Sequence, residues 1–155
     1  RCPRLTGFVA KDVVNKVPAL RAWMKRLHCE FLNRNDVKEG LKIILSCIEK
    51  VNRGISIFIF PEGTRNAGEE LSMLPFKEGA MKIATKTGCP IIPVSLNNTA
   101  AIFENQKPRI KKAHVVLEYG APIYPNTLEK EELKHLGAKC QAIIQETIQK
   151  NAELV

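Results

Sequence analysis

Apolar residues along this chain recur with two different periods, and the switching between them predicts strands and helices in turn. Phe8-Val9-Ala10 reads as a short strand. From Pro18 the period lengthens, placing Leu20, Trp23, Met24 and Leu27 on one side of a predicted helix and Arg21, Lys25 and Arg26 on the other. Proline suits a first helical turn, where its missing N–H would have no partner anyway. Phe31-Leu32 is a second short strand. Asp36 then stands as an N-cap, with Glu39 three residues on in a capping-box-like pattern. Val37, Leu41, Ile44, Leu45, Ile48 and Val51 keep helical spacing, and Gly54 ends the element.

Ile55 to Phe60 is apolar except for Ser56, which predicts a central strand covered on both faces. Glu78 to Thr87 reads as a short helix with Ala80, Ile83 and Ala84 inward and Gly88 as terminator. Ile91–Leu96 and Ala113–Tyr119 read as further strands. Leu133, Leu136, Cys140, Ile143, Ile144, Thr147 and Ile148 form the stripe of a last helix. Strands alternating with helices predict an α/β fold, a layered mixed, partly parallel sheet flanked by helices. No repeat or linker divides the sequence, so residues 1–155 are expected to form a single domain.

Composition adds little to this, and charge adds more. With 155 residues, 45% of them hydrophobic and 26% charged, the chain can bury an ordinary core. No apolar stretch approaches the ~20 residues that cross a bilayer, and the basic start lacks the apolar run of a signal peptide. Cys2, Cys29, Cys47, Cys89 and Cys140 include no C-x-x-C pair, which predicts reduced, mostly buried thiols and no metal site. The net charge is +8, and residues 1–34 hold eight Lys or Arg against Asp12 and Glu30. Such a basic front suits anionic headgroups, phosphate-bearing substrates or nucleic acid. One Trp, two Tyr and six Phe, the last mostly in predicted strands, leave little for base stacking. No nucleic-acid partner is expected.

The candidate chemistry follows the apolar run at 55–60. Phe60-Pro61-Glu62-Gly63-Thr64-Arg65 leaves that strand at its carboxyl end, where open α/β sheets place their ligands. Pro61 stops ladder pairing, and Gly63 allows a sharp turn or close backbone approach. Arg65 offers a planar fork of donors that matches phosphate oxygens. Glu62 could accept from a substrate hydroxyl or orient Arg65. On Glu62-Gly63-Thr64-Arg65 alone, a surface ion pair on an ordinary turn explains the run about as well.

The run does not stand alone. Phe8-Val9-Ala10-Lys11, Val17-Pro18, Trp23-Met24, Phe31-Leu32-Asn33-Arg34, Phe60 to Asn66, Phe76-Lys77-Glu78-Gly79-Ala80 and Ile91-Ile92-Pro93-Val94 follow in order. Together they resemble the 1-acylglycerol-3-phosphate acyltransferases (lysophosphatidic acid acyltransferases) and the wider glycerolipid acyltransferase superfamily. The resemblance implies that Arg65 and Lys11 hold the acceptor's phosphate, with Arg34 assisting and Glu62, Gly63 and Thr64 in the same substrate-binding set. Pro93 would shape the acyl-donor side. The implied reaction passes a fatty acyl group from acyl-CoA or acyl carrier protein to lysophosphatidic acid, giving phosphatidic acid, with no further cofactor and no metal. An anionic membrane surface on the cytoplasmic face is the implied partner. A sister activity on glycerol-3-phosphate or another lysolipid stays open, as does a non-catalytic basic module that binds lipid or nucleic acid.

One family motif is missing. The superfamily's catalytic base is a His followed five residues on by Asp, upstream of the Phe8 segment. Here His28, His114 and His135 are followed at that spacing by Asn33, Tyr119 and Cys140. The chain is therefore expected to be N-terminally truncated, lacking its first motif and any membrane anchor, and inactive alone. Asn33 also stands where the family has Asp.

Overall fold

The computed structural model describes residues 5–33, 36–66, 68 and 71–155. Arg34 and Cys2, both singled out above, lie outside the described residues. The chain divides into two compact units, residues 1–63 with 77–89, and residues 64–76 with 90–155.

The first unit is built on three parallel strands, β1 (Thr6–Lys11), β2 (Glu30–Leu32) and β3 (Ser56–Phe58), in the order β2-β1-β3. β1 is central, with Val9 opposite Glu30 on one side and Phe8 opposite Phe58 on the other. The expectation of a central strand at 55–60 is thereby corrected. β3 is an edge strand, shorter than the apolar run, and Phe60 is 57% exposed. Its apolar residues are used differently: the Phe58 ring sits 5.4 Å from Phe8 and 5.2 Å from Phe60, in a tilted aromatic row.

α1 (Pro18–Arg26) begins on its proline as expected, but Trp23 is 60% exposed while Leu20 and Met24 are half-buried. α2 (Val37–Asn52) is capped by Asp36, whose carboxylate accepts from the Lys38 and Glu39 backbone N–H groups at 2.9 and 3.0 Å. Its apolar positions split: Cys47 is buried and Ile44 and Ile48 half-buried, whereas Val37, Leu41 and Leu45 face outward. α3 (Met81–Thr87) follows a 3-10 turn at Glu78–Ala80 and ends on Gly88 at φ 70°.

A polar cluster ties these elements together beneath the sheet. The Lys50 ammonium reaches the Glu30 carboxylate at 2.6 Å and the His28 carbonyl at 2.7 Å, and the Ser46 hydroxyl donates to Glu30. His28 is the left-handed residue (φ 58°) of the α1–β2 turn, so Lys50 satisfies a carbonyl that the turn leaves inside. Burial, then the Glu30 carboxylate, push the Cys47 thiol up to about 11, with Lys50 opposing. Glu30→Gln leaves the Lys50 ammonium without its counter-ion, and the expected loss is about 1.5–3 kcal/mol. The denaturant midpoint of the variant measures it.

The second unit pairs β4 (Val94–Asn97) antiparallel with β5 (Val116–Tyr119), extended by one bridge between Ile91 and Ile123. Both strands are shorter than the apolar runs that predicted them, since the ladder joins only Val94–Asn97 to Val116–Tyr119. The expected last helix is two, α4 (Lys130–Lys134) and α5 (Leu136–Lys150), broken at His135. Leu136, Cys140 and Ile148 of α5 are buried, and Asn97 donates to the Ile148 carbonyl at 2.8 Å. The α/β class is as expected, with parallel and antiparallel pairing carried by separate sheets among the described residues.

Candidate active site

Parallel pairing sends β1, β2 and β3 out of the sheet at the same edge. That edge therefore gathers the carboxyl end of β1 at Lys11, the end of β2 at Leu32 and the turn that follows β3. Lys11, opposite Leu32 in the register, is exposed. Lys11 and the Glu62-Gly63 turn thus lie at one edge of one sheet, although the sequence separates them by about fifty positions.

The turn itself is short and pinned. The Gly63 N–H donates to the Phe60 carbonyl at 3.1 Å, closing a β-turn with Pro61 in its second position. The Lys77 N–H donates to the Pro61 carbonyl at 2.9 Å, so the segment entering α3 is fastened to the turn. Gly63 adopts φ 72°, and a Cβ there would stand 2.9 Å from Lys77 Cε and 3.0 Å from its Nζ. The Lys77 side chain is thus laid across the glycine. Glu62 is half-buried on the same turn.

Lys77 is the residue that reading for charge and spacing missed. It lies in the Phe76–Ala80 run already noted, but its closeness to Gly63 follows from the fold. Gly63→Ala is expected to cost about 1–2 kcal/mol, the price of a left-handed L-residue, and to displace the Lys77 side chain. A thermal melt gives the first effect. Weaker phosphate competition for labelling of Lys77 gives the second.

Thr64 and Arg65 begin the second unit, and both are exposed. The Arg65 guanidinium is 90% exposed and lies 4.0 Å from the Glu104 carboxylate. A contact so long and so wet contributes little to folding. The segment beyond Arg65 is held more firmly. The Asn66 amide donates to the Ser72 carbonyl at 2.8 Å, and its oxygen accepts from the Gly68 N–H at 2.9 Å. On α5, Gln141 bonds the Phe76 N–H and the Leu74 carbonyl, and Gln145 donates to the Leu71 carbonyl at 2.7 Å.

Pro93 is buried immediately before β4, and its carbonyl accepts from Gly120 N–H at 2.8 Å. Cys29, Cys47 and Cys140 are buried and Cys89 is partly covered; none is disulfide-bonded.

A family described as Acyltransferase matches residues 1–97. A 1-acyl-sn-glycerol-3-phosphate acyltransferase of Saccharomyces cerevisiae is 29% identical over 140 residues, covering 90% of this chain and 46% of its own length. Its counterpart in Salmonella typhimurium is 40% identical over 116 residues, covering 75% and 45% respectively. A chloroplastic relative in Brassica napus is 37% identical over 96 residues, covering 62% of this chain and 27% of its own length. Among solved structures, the 1-acyl-sn-glycerophosphate (LPA) acyltransferase PlsC of Thermotoga maritima aligns with a TM-score of 0.74 and 28% identity. That alignment covers 94% of this chain and 56% of the other. The chain thus spans roughly a quarter to a half of the length of these curated relatives.

Proposed function

The chain belongs to the acyltransferase family, and from that premise we propose that it binds the phosphate-bearing acyl acceptor of a lysophosphatidic acid acyltransferase. The observation that carries this reading is the shared sheet edge, which holds both Lys11 and the Phe60–Gly63 turn, with Lys77 laid across Gly63. Two ammonium groups and a turn whose glycine lets a ligand approach the backbone suit a phosphate monoester. By the family resemblance, Arg65 is assigned the forked donors with Arg34 assisting, Glu62 is assigned to the glycerol portion, and Thr64 belongs to the same substrate-binding set. Pro93 acts on the donor side through shape alone.

In the complete reaction the acceptor hydroxyl attacks the thioester carbonyl of acyl-CoA or acyl carrier protein. A C–O bond forms as the C–S bond breaks, and the hydroxyl proton passes through a general base to the departing thiolate. In the family that base is the first-motif His. None of His28, His114 and His135 has the required Asp five residues on. These 155 residues are therefore assigned the binding of acceptor without turnover. The basic residues of 1–34 and the exposed Trp23 support a reading in which α1 lies against an anionic membrane on the cytoplasmic face. No helix among the described residues is long and apolar enough to cross a membrane.

The test joins the first-motif segment to this chain and supplies acyl-CoA with either 1-acylglycerol-3-phosphate or glycerol-3-phosphate. Phosphatidic acid from the former is the expected product. Acylation of glycerol-3-phosphate alone would overturn the choice of acceptor.

A further inference from the structure

The second unit carries a surface that the folding of its core does not use. Between the 3-10 turn Thr99–Ile102 and β5, the chain runs Ile102-Phe103-Glu104-Asn105-Gln106-Lys107-Pro108-Arg109-Ile110-Lys111-Lys112. Within it, four cations (Lys107, Arg109, Lys111 and Lys112) stand against the single acid Glu104. All four cations are exposed. So are three large apolar side chains, Ile102, Phe103 and Ile110, the last at 74%. An isoleucine that far out, flanked on both sides by cations, has no role in packing this unit.

The loop is nevertheless shaped. The Gln106 N–H donates to the Phe103 carbonyl at 3.1 Å and the Arg109 N–H to the Gln106 carbonyl at 2.9 Å. The Gln106 side chain donates to the Ala101 carbonyl, and Asn98 ties the base of the loop to the His114 carbonyl at 2.9 Å. The Lys107 ammonium lies 5.5 Å over the Phe103 ring, so cation and apolar face are presented together. Glu104, the acid of the loop, is the residue that Arg65 approaches at 4.0 Å.

Exposed isoleucine and phenylalanine among cations complement a surface that offers anionic headgroups above an acyl interior. Nucleic acid would use the cations and the one Phe103 ring, but has nothing to cover Ile102 and Ile110. We propose that residues 102–112 form a bilayer-contact site for membranes carrying anionic lipid, which sets Arg65 at the lipid surface from which the acceptor arrives. The inference is separate from the α1 contact and rests on the acceptor reading only for the role of Arg65.

Vesicle sedimentation with the 155-residue chain tests it, because binding is read without any catalysis. The vesicles are phosphatidylglycerol with phosphatidylcholine, against phosphatidylcholine alone. The doubly substituted Lys111→Glu/Lys112→Glu chain is expected to lose about thirtyfold or more in partitioning to anionic vesicles. Ile110→Ser should lose several-fold while keeping every charge, which separates insertion from plain attraction. Thermal melts unchanged from the parent show that both variants fold. Parent-like vesicle binding by both variants would overturn the proposal, leaving α1 as the contact. So would loss of binding to duplex DNA with vesicle binding retained. Retained affinity for a soluble short-chain acceptor in the loop variants keeps a failure here distinct from a failure of the acceptor site.

Discussion

Gly7→Ala is expected to destabilise the first unit at or beyond the upper end of the ~1–3 kcal/mol typical of overpacking. Gly7 is the second residue of the central strand β1, and a Cβ there would meet the His28 carbonyl oxygen at 2.5 Å and its carbon at 2.9 Å. Both are backbone atoms, so no side chain can swing away. The same carbonyl already accepts from Lys50 at 2.7 Å, so pushing the turn outward also pulls on the Lys50–Glu30 pair. The strain therefore reaches β1, β2 and α2 together. Gly40→Ala is the control. It sits in α2 with its nearest neighbour, Leu32 Cδ1, 3.9 Å from the added methyl. Removing a helical glycine there should raise stability by about 0.5–1 kcal/mol. Denaturant midpoints of opposite sign for the two variants check the account. A neutral Gly7→Ala would show that β1 does not press on the α1–β2 turn.

The second large effect falls on binding. Arg65→Ala is expected to weaken affinity for the phosphate-bearing acceptor by about 10- to 100-fold, the worth of one charged hydrogen-bonding group. Stability should change by less than about 0.5 kcal/mol, since the guanidinium is exposed and its contact with Glu104 is long. Arg65→Lys keeps the charge and loses the fork, so it should fall between the two. In a protein that carries the first-motif His and Asp, the loss should appear chiefly as a higher KM for the acceptor. An unchanged KM would remove Arg65 from the site.

How much of this could be read from the sequence depended on whether the deciding contact was local. Pro18, Asp36 and Gly88 act on their own helix ends, and each does in the structure what its residue type implies. The α/β class followed from alternating periods, and the strand-to-loop exit at Phe60 was legible because Pro61 and Gly63 interrupt the apolar run. What failed needed knowledge of the neighbours. An apolar run is the same string of letters at the centre of a sheet or at its edge. Phe58 and Phe60 are accommodated at an edge by stacking in a row with Phe8. Helical spacing put Trp23 on one side with Leu20 and Met24, yet spacing does not say how wide the covering surface is, and Trp23 is exposed where they are half-buried. The break at His135 divides one apolar stripe between two helices, and the stripe carries no mark of it.

The geometry of the candidate site was legible in the same partial way. The Phe60–Arg65 run announced itself by residue type, and parallel pairing brought Lys11 to its edge of the sheet. Lys77 did not, because a lysine after Phe76 looks like any solvated lysine until the turn hydrogen bond to Pro61 brings it onto Gly63.

We propose that the turn following β3, with Arg65, selects an acceptor by its phosphate. Calorimetric titration of the 155-residue chain with short-chain 1-acylglycerol-3-phosphate, and with the matching monoacylglycerol that lacks the phosphate, tests it most directly. The account predicts at least about tenfold tighter binding of the phosphate-bearing ligand, with most of that preference lost in Arg65→Ala. Equal affinities for the two ligands, or a preference that survives the substitution intact, would contradict it.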